Sequence, residues 1–149
     1  MLTMFFIVVS VVGICVAIHY EILHQMTRMM PKFEIVHRKR IGIGVLVALV
    51  AHAIEIWIFG IVYYFLHLSG DWGDFEGNYD GSLLDNVYFS ATTFTTLGFG
   101  DIAPYGELRF LTGVESLTGL VLITWTASFL FIEMTKYWDN ENGEGSSNQ

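Results

Sequence analysis

Three stretches of this chain are so long and so apolar that they restrict it to one environment. They cover residues 1–23, 41–68 and 108–132, and a membrane-spanning helix takes about 20 residues. The chain is 53% hydrophobic and only 15% charged, whereas soluble domains carry about 25% charged residues. The sequence therefore predicts an all-α membrane protein with three transmembrane helices.

The distribution of basic residues predicts the orientation of these helices. Five of the seven lysines and arginines lie in residues 28–40, between the first two stretches. Basic connectors stay on the cytoplasmic side, so we expect the N-terminus outside and the C-terminus in the cytoplasm. The first stretch lacks a positive start and a small-residue cleavage site, so we expect it to be retained as a helix.

Net charge and cysteine content exclude other classes. The formal net charge of -8 offers no basic face for phosphates, so we expect no nucleic-acid partner. The single cysteine, Cys15, excludes an intrachain disulfide and a cysteine-rich metal site. Because Cys15 lies in an apolar stretch, we expect it to be a small buried side chain.

The connection between the second and third stretches has two parts before its glycine-rich end. Residues 69–81 are rich in glycine and acidic residues and predict an exposed acidic turn region. Ser82 and Asp85 then form a capping-box pattern that predicts the start of a short helix. A helix too short to span, followed by irregular backbone, predicts a re-entrant loop.

The sequence TTFTTLGFGD, residues 92–101, covers the end of this short helix and the glycine-rich stretch that follows it. Gly98 and Gly100 permit backbone angles that other residues avoid, so successive carbonyl groups can turn to the same side. Four copies around an axis would stack rings of oxygens, with the Thr96 hydroxyl at the inner end. Such rings replace the hydration shell of a monovalent cation. We expect Leu97 and Phe99 to point away from the axis and pack against the short helix.

This segment resembles the selectivity filter of potassium channels, because residues 96–101 read threonine, aliphatic, glycine, aromatic, glycine, aspartate. The resemblance extends to Tyr88, Phe89 and Pro104, and the order of helices is that of the family over residues 41–136. The chain is similar to small prokaryotic ion channels with one pore loop and an extra N-terminal helix. The resemblance implies a homotetramer in membrane lipid that passes K⁺ passively, without enzymatic activity.

The resemblance further implies K⁺ ions in the filter, no other cofactor and a prokaryotic inner membrane. No arginine repeats at every third position, so we expect no voltage sensor, and we expect no large cytosolic ligand domain. The predicted parts are an extra helix over 1–27, a basic connector over 28–40, and a pore domain over 41–138. That domain comprises the outer helix 41–68, turret 69–81, pore helix 82–95, filter 96–101 and inner helix 106–136, and a disordered acidic tail follows over 139–149.

The resemblance also assigns residues to the filter and its support. The implied ion-coordinating residues are Thr96, Leu97, Gly98, Phe99 and Gly100. The implied supporting residues are Tyr88, Phe89, Thr92, Thr95 and Asp101. Phe99 stands where many members have tyrosine, and Thr92 stands where some carry a glutamate that pairs with the aspartate after the filter. The outer wall of this filter must therefore be held by other contacts.

One stripe of the third apolar stretch aligns with the pore-facing side of the family's inner helix. It contains Val121, Thr124 and Ser128, which we expect to line the pore. The alternative is a helix–helix contact through small polar residues, which is common in membranes. Gly119 is a candidate hinge or a site of close packing, and Trp125 is expected to pack against a neighbouring subunit.

Ionisable groups in the apolar stretches are candidates for a functional role, because placing such groups inside a membrane costs free energy. His52 and Glu55 are three residues apart and share a helix face, and His19 and Glu115 lie in the other stretches. Together they suggest a network that senses pH or binds a divalent ion. The alternative is a hydrogen-bonded cluster that docks the helices. Glu115 is the first candidate for a gating role, because its protonation would alter support of the filter.

Two other functions stay open. A non-selective monovalent cation channel would share the architecture and differ in the filter. A membrane metal carrier or enzyme would use His19, His52, Glu55 and Glu115 and would not depend on the filter residues.

Overall fold

The computed structural model describes the backbone of residues 1–29 and 37–146 and the side chains of residues 1–28 and 41–135. Four helices and two short strands make up these described parts of the chain. In chain order they are α1 (Leu2–Met29), α2 (His37–Ser69), β1 (Phe75–Gly77), α3 (Leu83–Phe94), β2 (Ile102–Pro104) and α4 (Leu108–Ser146).

The three long helices are apolar enough to cross a membrane, over Leu2–Arg28, Ile41–Ser69 and Leu108–Thr135. Large apolar side chains lie on the outer surface of each helix, such as Phe6, Leu46 and Leu117, which are 61–63% exposed. Such surfaces are stable in lipid or against other protein. The predicted all-α membrane fold with three spans is confirmed.

The short helix α3 begins where the capping pattern predicted. The Ser82 hydroxyl accepts a hydrogen bond from the Asp85 amide at 3.1 Å, which satisfies one free amide of the first turn. The reciprocal half of the capping box is absent, because the Asp85 carboxylate accepts from the Asp80 amide instead. The Asp80 carboxylate accepts from the Ser82 amide at 2.7 Å. This bond and the nearby Ser82 hydroxyl lower the pKa of Asp80.

α3 lies against both α2 and α4, and aromatic side chains fill the space around it. Phe89 packs edge-to-face against Tyr63 of α2, with ring centroids 5.2 Å apart, and against Phe75 of β1 at 5.0 Å. Phe94, at the end of α3, is fully buried and lies 6.5 Å from Phe59 of α2. This aromatic core places α3 on the inner side of the two long helices.

Two glycines allow the long helices to approach α3 more closely than any other residue would. A Cβ on Gly60 of α2 would lie 2.8 Å from the Val87 Cα, and a Cβ on Gly119 of α4 would overlap the Phe94 carbonyl oxygen. Of the two predicted roles of Gly119, close packing is the one that the structure shows. The backbones of α2 and α4 thus contact α3 from two sides.

A pair of short strands joins the turret to the segment that follows residues 96–101. β1 and β2 are antiparallel, with Phe75 opposite Pro104 and Gly77 opposite Ile102. Gly77 has a positive φ of 107°, and a Cβ there would overlap the Asp101 carbonyl oxygen. The turret is therefore not only an exposed acidic region, because its backbone pairs with the chain beyond Asp101.

Several predicted boundaries differ from the structure. α2 starts at His37 instead of residue 41, and α4 starts at Leu108 and continues to Ser146, beyond the predicted end at residue 136. α4 thus includes part of the predicted disordered tail, because no proline interrupts the run and each added residue gains a helical hydrogen bond. Most of the basic connector, over 30–36, and residues 147–149 of the tail lie outside the described residues.

Substitution of Gly119 by alanine should destabilise the protein, because the new methyl group would displace the Phe94 carbonyl. Overpacking typically costs roughly 1–3 kcal/mol. The measurement is the thermal unfolding midpoint of the purified protein in detergent. Gly113→Ala is the matched control, because the space around a Cβ at Gly113 of the same helix is open, and alanine there gains up to about 1 kcal/mol of helix propensity. Equal midpoints for the two variants would contradict close packing at Gly119.

Candidate functional site

The backbone of residues 96–101 alternates between positive and negative φ. Thr96, Gly98 and Gly100 have φ of 58°, 54° and 76°, whereas Leu97 and Phe99 between them are outside the positive region. Such alternation turns successive carbonyl groups toward one side of the segment. Gly98 and Gly100 thus adopt the backbone angles that glycine permits, and their role in a filter stays a prediction.

Thr96 is the only residue other than glycine with a positive φ in the described backbone. This conformation is unfavourable for a β-branched side chain and costs on the order of 1–3 kcal/mol. Two hydrogen bonds to the end of α3 hold it in place: the Thr96 amide donates to the Thr93 carbonyl at 2.9 Å, and the Gly98 amide donates to the Thr92 carbonyl at 3.0 Å. The segment is therefore a continuation of α3 that is bent into a strained shape.

The C-terminal end of the segment is held by Tyr88, which provides a contact of the kind that Phe99 and Thr92 left undetermined in the sequence. The Tyr88 hydroxyl donates to the Asp101 carboxylate at 2.7 Å, and its ring is nearly parallel to that of Phe99, with centroids 6.5 Å apart. The Asp101 carbonyl accepts from the Asn78 amide at 2.8 Å. The hydrogen bond to Asp101 raises the pKa of Tyr88.

The predicted packing of Leu97 and Phe99 against the short helix is only half present within one chain. Phe99 contacts Tyr88 of α3, but Leu97 is 60% exposed and Phe99 is 63% exposed. Both side chains therefore remain available to a neighbouring molecule.

The other predicted supporting residues act through the backbone of α3. The Thr92 hydroxyl donates to the Phe89 carbonyl at 2.9 Å, and the Thr95 hydroxyl donates to the Ala91 carbonyl at 2.7 Å. Ser116 of α4, which the sequence did not single out, donates to the Thr93 carbonyl at 3.2 Å. All three carbonyl groups belong to the second half of α3.

Glu115 lies behind α3 and joins three helices. Its carboxyl group, which is fully buried, accepts from the Tyr63 hydroxyl of α2 at 2.6 Å and lies 2.5 Å from the Ser90 hydroxyl of α3. Ser90 also lies 2.9 Å from the Ile56 carbonyl of α2. The predicted location of Glu115, facing protein near residues 96–101, agrees with this geometry. Its gating role stays a prediction.

A second polar cluster brings His19, His52 and Glu55 together. Each histidine Nδ1 lies 2.9 Å from a different oxygen of the Glu55 carboxylate. The Thr126 hydroxyl of α4 lies 3.1 Å from His19 Nε2 and 3.2 Å from His52 Nε2. We call these four side chains the His–Glu–His–Thr ring. It joins α1, α2 and α4, and the sequence pointed to three of its members but missed Thr126.

The ring also contains the one group in the described part of the chain whose donor atoms lie close enough for a metal ion. Donor atoms of His19, His52 and Glu55 lie within 4.8 Å of one another. All of these atoms already take part in hydrogen bonds within the ring. A metal ion would therefore have to replace hydrogen bonds that the ring already makes.

The predicted pore-lining residues share an open face of α4. Val121, Thr124 and Ser128 are all exposed in the single chain, and the two hydroxyl groups bond to carbonyl oxygens of their own helix. Trp125 has a partner within the chain, because its ring lies 5.2 Å from that of His19, but it is still 37% exposed, so its contact with a neighbouring subunit stays a prediction. α1 packs against this part of α4, which the sequence of α4 alone does not reveal.

Comparison with known proteins agrees with this architecture. Residues 51–136, more than half of the chain, match the sequence profile of a family described as ion channels. The chain therefore belongs to this ion-channel family, and its three apolar helices make it a multi-pass integral membrane protein. No curated protein and no solved structure matches the chain. The family match contains α3 and residues 96–101 but not α1.

Tyr88→Phe should loosen the C-terminal end of residues 96–101. It removes the hydroxyl that donates to Asp101 but keeps the ring that stacks on Phe99. Faster amide hydrogen exchange at Asp101 and Ile102 is the expected result. Tyr20→Phe is the control, because Tyr20 is an exposed tyrosine on α1. Unchanged exchange in Tyr88→Phe would show that this bond does not hold the segment.

Glu115→Leu should destabilise the protein, because the Tyr63 hydroxyl would keep only its longer bond to Thr112, at 3.2 Å, and the Ser90 hydroxyl only its bond to the Ile56 carbonyl. An unsatisfied buried group costs roughly 1–3 kcal/mol. Glu115→Gln keeps an acceptor for Tyr63 and a donor for Ser90, so it should retain most of the stability. The thermal midpoint in detergent separates the two variants, and equal losses would mean that hydrogen bonding at Glu115 is not what matters.

Proposed function

We propose that four copies of this chain form a K⁺-selective channel, in which residues 96–101 of each copy supply one quarter of the filter. The supporting observation is the alternating sign of φ at Thr96, Gly98 and Gly100. Four such segments around an axis present stacked rings of backbone oxygens. Oxygen rings of this kind replace the hydration shell of a dehydrated K⁺ ion.

The ion-coordinating groups in this proposal are the carbonyl oxygens of Thr96, Leu97, Gly98 and Phe99 and the Thr96 hydroxyl. Their positions depend on α3, because the first residues of the segment bond to its last turn. The carboxyl end of a helix carries partial negative charge. α3 would therefore favour a cation in the cavity on the inner side of the filter.

The surfaces that one chain leaves open support the proposed homotetramer and its pore. Leu97 and Phe99 are 60% and 63% exposed, and the stripe with Thr124 and Ser128 is also exposed. In a tetramer, neighbouring copies would cover the first set and water would fill the space before the second. We infer that the N-terminus lies outside and the C-terminus in the cytoplasm of a prokaryotic inner membrane, in agreement with the basic connector.

Gly98→Ala should abolish ion flux, because alanine avoids the positive φ of 54° that Gly98 adopts. The measurement is rubidium uptake by liposomes that contain the purified protein. Na⁺ in excess should leave the wild-type uptake largely unchanged if the filter is K⁺-selective. Gly13→Ala is the control, because Gly13 of α1 has a negative φ and open space around its Cβ.

The same assay separates the competing functions. Uptake that Na⁺ suppresses would support a non-selective cation channel. Uptake that survives Gly98→Ala but is lost in His52→Ala would support a carrier that uses the buried histidines. Either outcome overturns the proposal.

A further inference from the structure

The His–Glu–His–Thr ring is the only described contact between side-chain polar groups of α1 and the rest of the membrane-spanning region. His19 and Glu55 are fully buried, and Thr126 is 6% exposed. His52 also touches Phe94 at the end of α3, with ring centroids 5.8 Å apart. The ring therefore links the helix outside the family match to the base of residues 96–101.

Counting hydrogens determines how many protons the ring must hold. Its four hydrogen bonds join each Glu55 oxygen to a histidine Nδ1 and the Thr126 oxygen to both Nε2 atoms. Each bond needs one hydrogen. Thr126 supplies one and each neutral histidine supplies one, whereas ionised Glu55 supplies none. The ring is therefore one hydrogen short unless it binds an additional proton.

Thr126 supports this count because its hydroxyl is committed to the ring. Thr112, Thr118 and Thr124 of the same helix donate their hydrogens to the carbonyl oxygen four residues earlier. The two bonds of the Thr126 hydroxyl in the described structure go to His19 and His52. One of them must use the threonine hydrogen, and the other must use a hydrogen on a histidine.

We propose that the ring is a binding site for one proton, which is shared among His19, His52 and Glu55 and holds α1 against α2 and α4. With this proton the ring is electrically neutral, because the carboxylate charge is balanced. Without it, one bond lacks a hydrogen and a negative charge remains in the membrane interior, which is costly. The ring therefore couples the position of α1 to proton concentration.

Among the side chains that the structure describes, Cys15 and Glu115 are further titratable groups on the helices packed around the ring. On α1, Cys15 lies one turn before His19, is fully buried, and interacts electrostatically with both Glu55 and Glu115. On α4, Glu115 is satisfied by Tyr63 and Ser90. The neighbours on α3 and α4 that touch the histidine rings, Phe94 and Trp125, carry no titratable group.

Glu55→Gln is the decisive variant, because an amide supplies the missing hydrogen covalently. Its nitrogen donates to one histidine and its oxygen accepts from the other, so two neutral histidines complete the ring. We expect Glu55→Gln to keep α1 docked but to lose the bound proton. Glu55→Leu, which removes both bonds, should lose the docking as well.

The first measurement is the thermal midpoint of detergent-solubilised protein between about pH 5 and about pH 10, a range that spans imidazole titration. The wild-type midpoint should fall at alkaline pH as the proton is lost, and the Glu55→Gln midpoint should lack this fall. By linkage the difference should correspond to about one proton per chain. Thr126→Val removes two of the four bonds together with the hydroxyl hydrogen, so two neutral histidines supply both hydrogens that the remaining bonds need. This variant should therefore also reduce the alkaline fall of the midpoint, whereas Thr126→Ser should keep it.

The second measurement is ¹⁵N NMR of the histidine side chains. The wild type should show one charged imidazole shared by His19 and His52, and Glu55→Gln should show two neutral ones. The same alkaline fall in the wild type and Glu55→Gln would overturn the proposal, as would equal instability of Glu55→Gln and Glu55→Leu. Stabilisation of the wild type but not of Glu55→Gln by Zn²⁺ would overturn it in favour of a metal site.

The consequence for conduction rests on the proposed channel function. If that function is correct, rubidium uptake by the wild type should depend on pH in the alkaline range, and uptake by Glu55→Gln should not show that dependence. The two ideas fail separately: absence of uptake in the wild type at every pH refutes the channel, whereas the midpoint and NMR experiments test the proton site without any flux.

Discussion

Polar groups at membrane depth must find partners inside the protein, and this requirement determines how α3 is held. α3 is too short to cross a membrane, and the segment after it is not helical. The Ser90 hydroxyl bonds to the Ile56 carbonyl of α2 and approaches Glu115 of α4. The Ser116 hydroxyl of α4 bonds to the Thr93 carbonyl. Groups of the long helices thus supply α3 with the hydrogen-bond partners that water supplies to exposed helices.

Two buried carboxyl groups, those of Glu115 and Glu55, connect different sets of helices through hydrogen bonds. Glu115 of α4 joins this helix to Tyr63 of α2 and Ser90 of α3. Glu55 joins α1 to α2 through His19 and His52, and Thr126 extends the connection to α4. The first cluster lies entirely within residues 51–136, which match the family profile, and the second attaches α1, which lies outside that match, through His19.

Some features of this arrangement could be predicted from the sequence because they depend on local chemistry. Length and apolar composition gave the three spans, Ser82 gave the start of α3, and Gly98 and Gly100 indicated the unusual backbone. The bond between Tyr88 and Asp101 could not be predicted, because it depends on how residues 96–101 fold back along α3. The contact requires a tertiary arrangement that no local pattern encodes.

Other features escaped prediction because their local signals are weak. Strands of three residues, such as Phe75–Gly77 and Ile102–Pro104, are too short to show an alternating pattern. Thr126 looked like any small polar residue on an apolar helix until α1 placed His19 beside it. The end of α4 was predicted too early because a polar composition suggests disorder, whereas a helix that is already formed extends at little cost.

The pairing of β1 with β2 restrains both ends of the chain segment between the two strands. Phe75 and Pro104 are opposite each other, so the strand pair closes a loop that contains all of α3 and residues 96–101. Closing a loop costs chain entropy once, and after that both ends of the enclosed segment are fixed. Thr96 can then leave its unfavourable positive φ if the strands separate or α3 unwinds. The small sheet therefore acts as a clasp that lets an otherwise unfavourable backbone persist.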